Sequence, residues 1–153
     1  MTTPEERLME LGLALPEPVT PLAAYVPVVR TGAYAYVSGQ VPLAGGEPVA
    51  VGRLGADIDL DTGRAAARVC AVNILAALKA ELGDLSRVAR VVKLTVFVAS
   101  EPGFTDQPKV ANAASELLGE VFGDHGRHAR SAVGVAALPL GVPVEIEAIV
   151  EVA

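Results

Sequence analysis

The segment that most constrains the fold is Val88–Ala99, VARVVKLTVFVA, where apolar residues fall at both odd and even positions. Side chains of a strand alternate between the faces of its sheet, so a strand apolar at both parities must be covered on both. Arg90 and Lys93 are its charged interruptions. A helical pattern runs directly into it, as in a crossover connection. One sheet face is therefore expected to carry helices, and the other to be closed by a second copy of the chain.

Composition agrees with a covered surface. Of the 153 residues, 52% are hydrophobic, and the mean hydropathy is +0.45. No apolar run is long enough to span a bilayer. The excess reads as buried subunit interface, because obligate interfaces are more apolar than free surface. An alanine-rich composition that inflates the index is the plainer alternative. No linker or repeat divides the chain, so residues 1–153 are read as one domain. Cys70 is the sole cysteine, and the opening MTTPEERLME lacks the basic region of a secretory signal. Both point to a cytoplasmic setting without disulfides. A net charge of −6, with twelve Lys and Arg spread thinly, disfavours nucleic-acid binding, which needs clustered cations.

Along the chain, Thr3-Pro4-Glu5-Glu6 starts a short helix with Leu8, Leu11 and Leu15 on one side. Pro16, Pro18 and Pro21 end it, so residues 1–22 read as a helical extension and Pro-rich connector. Ala24–Arg30 and Ala33–Gln40 read as strands around Thr31-Gly32. Leu43–Gly55 reads as a loop with one short edge strand at Pro48–Val51. Asp61 or Thr62 caps a helix reaching Leu82, and Gly83 stops it. A second helix spans Asp106–Phe122. Arg130–Ala137 and Val142–Val152 read as strands joined by residues 138–141. The expectation is an α+β fold, with a mixed six-stranded sheet, two main helices on one face and the N-terminal helix added.

The last two strands carry the candidate chemistry. Ser131, Val133, Val135 and Ala137 share one face, expected to meet the core. Arg130, Ala132, Gly134 and Ala136 share the other. An arginine with small neighbours has room to hold a carboxylate in a bidentate fork. It also fits a strand-end arginine in solvent, with the small residues accommodating a packed neighbour. Glu145, Glu147 and Glu151 lie on one face of the final strand. That face is either simply solvated, or one carboxylate lines a cleft and positions a water. His125 and His128 form H-x-x-H in a glycine loop, too few ligands for zinc, so no metal is expected. Ser38 and Ser131 have no histidine at a fixed spacing, so no triad is read. Tyr34 and Tyr36 read as strand packing.

Three separated motifs resemble one family. Val37-Ser38-Gly39-Gln40-Val41-Pro42, Lys93-Leu94-Thr95-Val96-Phe97-Val98, and Ala129-Arg130-Ser131 through Leu138-Pro139 to Val144-Glu145-Ile146-Glu147-Ala148 are similar, in order, to the RidA/YjgF family of reactive-intermediate deaminases. The resemblance implies a chorismate-mutase-like homotrimer with ligand sites between subunits. It implies that Arg130 grips a substrate carboxylate and that Glu145 handles the attacking water. It also implies that Tyr25 and the backbone at Gly39 line the pocket, and that Asn112 is the family's helix asparagine. Ala132 stands where the deaminase branch carries cysteine, and the segment after Phe104 and the N-terminal helix mark a divergent subfamily.

If residues 138–141 close a hairpin, Glu145 lies opposite residue 135 or 136. Arg130 is then five or six residues away, roughly 15–20 Å. A small 2-imino acid cannot touch both unless they come from different chains. The expected function is hydrolysis of 2-imino or enamino acids to 2-keto acids and ammonia, without metal or organic cofactor. A non-catalytic trimer that binds small carboxylates is the alternative. An endoribonuclease, an activity the family name has also carried, fits the acidic charge poorly.

Overall fold

The computed structural model describes residues 1–153 except Val19 and Leu22, two connector residues that lie outside the described residues. The elements in chain order are α1 (Pro4–Glu10), β1 (Val28–Thr31), β2 (Tyr34–Gln40), β3 (Leu43–Ala44), β4 (Glu47–Pro48), α2 (Leu60–Leu82), β5 (Val88–Ala99), α3 (Gln107–Phe122), β6 (Ala129–Val135) and β7 (Val144–Val152). The main sheet runs β1-β2-β7-β5-β6. β5 and β6 are parallel, and the other neighbours are antiparallel.

Both long helices lie on one face. Ala67, Cys70, Ala71, Ile74, Leu75 and Leu78 of α2 are buried, as are Val110, Ala114, Leu117, Leu118 and Val121 of α3. These are the stripes expected from spacings of three and four. Beneath them lie Leu94, Val96 and Val98 of β5 and Val144, Ile146, Ala148 and Val150 of β7. The other face is open in the single chain. Val29, Tyr34, Tyr36 and Val133 on it are 51%, 40%, 43% and 44% exposed. The two tyrosines are thus not core packing.

Several boundaries differ from the sequence reading, each for a local reason. The main sheet has five strands rather than six. Gly45 and Gly46, at φ 61° and 81°, make a two-residue turn that pairs β3 with β4 alone, away from the main sheet. β1 starts at Val28 rather than Ala24. Pro27 has no N–H to give, and Ser38 takes the Val26 carbonyl through Oγ at 2.7 Å and the Pro27 carbonyl through N at 2.8 Å. The cap of α2 is Asp59, whose carboxylate accepts from the Thr62 N–H at 2.8 Å.

The largest correction concerns the end of the chain. β6 and β7 do not form a hairpin, because β5 lies between them. α3 is a crossover that returns β6 parallel to β5. β7 then descends antiparallel on the other side of β5. The faces of β6 are also reversed from expectation. Ala132 packs toward the core, whereas Ser131 and Val133 are exposed.

The N-terminal helix forms but is shorter than the sequence reading: it ends at Glu10 with Leu11 as its cap, and Gly12 at φ 72° turns the chain before Leu15 and the prolines. Thr3 and Glu6 make a reciprocal capping box. Leu8 is buried, and Glu5 accepts from Lys79 Nζ at 3.0 Å and the Leu85 N–H at 2.7 Å. No helix among the described residues is long and apolar enough to cross a membrane.

Candidate functional site

Arg130 stands level with Leu94 of β5 and therefore points to the helix face. There α3 presents Asn112 and Ser115, three residues apart and so on one helix side. Arg130 Nη1 donates to Asn112 Oδ1 at 2.9 Å and to Ser115 Oγ at 3.2 Å. Among the described residues no carboxylate lies within 4.0 Å of this guanidinium. Among the described residues its Nε and Nη2 have no protein acceptor, and they are not sealed from solvent. One edge is thus held by neutral groups, and the fork that suits a carboxylate remains open.

Ala132 follows on the same strand face. Gly134 beyond it makes room for a packed neighbour rather than for the guanidinium. A Cβ there would stand 2.9 Å from both Gln107 Nε2 and Ser100 Oγ. His128 completes the cluster, with Nε2 2.9 Å from Ser115 Oγ and Nδ1 2.6 Å from the Gly126 carbonyl. Burial holds its pKa below the usual histidine value, against the pull of the Gly126 carbonyl and with help from the Arg130 charge.

Glu145 belongs to a second cluster. It pairs with Phe97 and alternates with buried Val144 and Ile146, so it points to the open face. Register between β2 and β7 shifts between Val37 and Gln40, which pair with Ala148 and Ile146. Ser38 and Gly39 therefore oppose one residue, a bulge. At Gly39 the Glu145 side chain lies against the backbone. A Cβ there would stand 2.9 Å from Glu145 Cδ. Tyr25, 56% exposed, shares a small hollow with Gly39, Gln40 and Asn73. Asn73 Nδ2 holds the chain after the bulge by donating to the Val41 and Leu43 carbonyls at 3.0 and 3.1 Å.

Burial raises the Glu145 pKa, and the nearby Glu147 charge adds to it. Beneath, the fully buried Cys70 thiol donates to the Val144 carbonyl at 3.6 Å. Burial, and then the Glu145 charge, push its pKa well up, so it is an inert core residue.

The two clusters do not meet within one chain. Arg130 is level with Leu94, and Glu145 with Phe97, two strands away. Strands about 4.8 Å apart and about 3.3 Å per residue put the two Cα atoms roughly 14 Å apart. The odd offset also sends the side chains to opposite faces. Of the residues singled out from sequence, Arg130, Asn112 and Ala132 fall in one cluster, and Tyr25, Gly39 and Glu145 in the other. Ser115 and His128 were missed. The three-residue step from Asn112 to Ser115 on a helix was the available signal for the serine. The H-x-x-H spacing marks His128 only as a metal ligand.

Fold and clusters together define an α+β protein of a mixed sheet under two helices, with an open-edged arginine on one face and a half-buried carboxylate on the other. A family model described as "YjgF/chorismate_mutase-like, putative endoribonuclease" matches residues 5–150. The chain belongs to this YjgF/chorismate-mutase-like family. It is 50% identical to Protein TCP17 of Trypanosoma cruzi over 145 residues, 94% of this chain and 91% of that one. The crystal structure of Atu1372 from Agrobacterium tumefaciens is 50% identical, with a TM-score of 0.93 over 98% of this chain and 92% of that one. TdcF of E. coli, solved with bound serine, is 27% identical, with a TM-score of 0.62 over 90% of this chain and 94% of that one.

Proposed function

We propose that the chain hydrolyses 2-imino acids to 2-keto acids and ammonia at clefts between subunits of a homotrimer. The observation that carries the reading is the Arg130 guanidinium, tethered through Nη1 by neutral acceptors, with no carboxylate partner among the described residues. Such a group in a protein of negative net charge is poised for a small anion. A serine bound in TdcF supports a ligand with an amino-acid skeleton.

The substrate carboxylate would lie along the Nε–Nη2 edge of Arg130. Glu145 of the adjacent subunit would take a proton from water as its oxygen bonds to the protonated imine carbon. Glu145 would return that proton to the carbinolamine nitrogen, the C–N bond would break to release ammonia, and the hydroxyl proton would pass back to the freed Glu145 carboxylate and on to the ammonia or solvent, leaving the 2-keto acid. A carboxylate whose pKa is raised above its usual value is suited to this exchange. The protonated imine is already electrophilic, so the chemistry requires no metal or organic cofactor.

The test is complementation. Arg130→Ala and Glu145→Gln homotrimers are each expected to be inactive on enzymatically generated 2-iminopropanoate. In co-expressed mixtures a site needs an intact arginine from one chain and an intact glutamate from the next. Random assembly of a cyclic ring at equal amounts restores about a quarter of wild-type activity. No recovery would place both residues' work within one chain, and full activity of Arg130→Ala would end the reading. Arginine-dependent binding without turnover would leave a carboxylate-binding trimer instead.

A further inference from the structure

We propose that Ser115 and His128 are positioning residues that fix the Arg130 guanidinium and so set the affinity for the substrate carboxylate. The proposal rests on the reading of Arg130 as the carboxylate holder.

The hydrogen bonds leave one arrangement of protons. A carbonyl oxygen can only accept, so the 2.6 Å contact between Gly126 O and His128 Nδ1 requires the proton on Nδ1. In the neutral ring Nε2 then carries a lone pair. Ser115 Oγ, 2.9 Å away, must donate to it. With its proton so committed, Ser115 has only lone pairs to offer, and Arg130 Nη1 donates to one at 3.2 Å. The second Nη1 proton goes to Asn112 Oδ1 at 2.9 Å. Both Nη1 protons are spent on α3, which turns the Nε–Nη2 edge outward.

Chemistry around the ring favours this state. His128 is half-buried and shares its surroundings with the Arg130 cation, so it stays neutral near pH 7. Gly126 is fitted for the role by lack of space. A Cβ there would collide with the Leu118 carbonyl of α3. The short helical turn at Gly123–Gly126 is therefore seated tightly against the helix that carries Ser115, and carbonyl, ring and hydroxyl are held by one packed unit.

A planar guanidinium presented by one fixed edge binds a planar carboxylate through two parallel hydrogen bonds with little ordering left to do. Loss of the relay frees the group to rotate. Ground state and transition state both keep the carboxylate, so the loss should fall on KM and leave kcat nearly unchanged.

The experiment has two arms. The first reads the His128 ring nitrogens by 15N NMR in the ligand-free protein. The expected result is a protonated Nδ1 and a bare Nε2. The opposite tautomer overturns the relay whatever ligands do.

The second arm titrates pyruvate, the simplest 2-keto acid, into wild type, Ser115→Ala, His128→Leu, His128→Gln and Arg130→Ala. Thermal midpoints check that each variant is folded. Ser115→Ala and His128→Leu are expected to weaken binding and raise KM about fivefold to tenfold, with kcat changed less than about twofold. In His128→Gln the amide oxygen can still accept the serine proton, and binding should recover to within about threefold of wild type. If Ser115→Ala and His128→Leu bind pyruvate as wild type does while Arg130→Ala does not, the relay is wrong and the carboxylate reading stands. If wild type and Arg130→Ala bind equally, or neither binds, both are wrong.

Discussion

Adding one methyl group at Gly39 tests whether the position of the Glu145 carboxylate matters. The new Cβ would stand 2.9 Å from Glu145 Cδ and 3.2 Å from Cγ. Nonbonded carbons settle about 3.5–4.0 Å apart, so the carboxyl group must retreat by about 0.6–1 Å. Gly39 does not have positive φ, so alanine fits its backbone. What blocks the methyl is the end of a flexible, half-exposed side chain. The cost to the fold should then be about 0–1 kcal/mol, below the roughly 1–3 kcal/mol of overpacking in a closed core.

The cost to chemistry should be larger. A group displaced by about 1 Å from its productive position can lose about 100-fold in rate, or about 2.7 kcal/mol at about 1.36 per tenfold. Gly39→Ala is thus expected to lower kcat/KM for 2-iminopropanoate by about 10- to 100-fold. The thermal midpoint should move by no more than about 4 °C. The assay generates the imine with an amino-acid oxidase and follows its decay. In a Glu145→Gln background the same change should cost nothing further, because both act through one carboxylate. Full activity of Gly39→Ala, or independent losses in the double variant, would refute the reasoning.

Other outcomes follow from the same geometry. Arg130→Lys should lower kcat/KM about 100-fold, since one ammonium cannot hold Asn112, Ser115 and a carboxylate fork together; activity near wild type would contradict a bidentate role. Burial makes Glu145 keep its proton to higher pH in the fold than an ordinary glutamate does, so the native state binds more protons there and wild-type stability should fall as pH rises from the ordinary glutamate range through the raised pKa. Glu145→Gln removes that decline and should be more stable than wild type at neutral pH; urea unfolding across pH checks it, and a pH-independent difference counts against the assignment. Asn73→Ala strips the donor from the Val41 and Leu43 carbonyls and should destabilise by about 1–3 kcal/mol; a thermal midpoint equal to wild type would show that those bonds do not hold the loop.

Long periodic elements were legible from sequence because their burial is settled locally. The stripes of α2 and α3 and the double-sided apolar run of β5 left little choice. Pairing was not legible. Nothing in residues 138–141 says whether the chain turns back beside β6 or skips past β5, and α3 as a crossover decides it. The faces of β6 failed for a related reason. Ser131-Ala132-Val133-Gly134 has one sizeable side chain, so alternation alone points Val133 inward. β6 is an edge strand on whose helix side Arg130 reaches Asn112 and Ser115 of α3, while further along the same side Gln107 and Ser100 leave no room for a side chain at Gly134. The residues carried by motif fall into two polar clusters, Arg130 in one and Glu145 with Gly39 in the other. Ser115 and His128 were not legible, because the bond that joins them depends on how the turn at Gly123–Gly126 seats on α3.

A sheet cannot bring its two faces together, but a ring of copies can set one chain's rim against another chain's open face. Arg130 sits on the edge strand β6 and Glu145 on the open face beside the β2 bulge. That open face also carries Val29, Tyr34, Tyr36 and Val133, apolar surface that a lone chain leaves wet. On the two-subunit reading, the contact that removes this surface from water also delivers an arginine to a glutamate. Covering about 800 Å² per partner is typical of a stable interface, and the hydrophobic gain from it would far exceed the cost of keeping Glu145 half-buried beside Glu147. Association would then offset the cost of the half-buried carboxylate that one chain already carries. Stability and site assembly would rise and fall together on dilution.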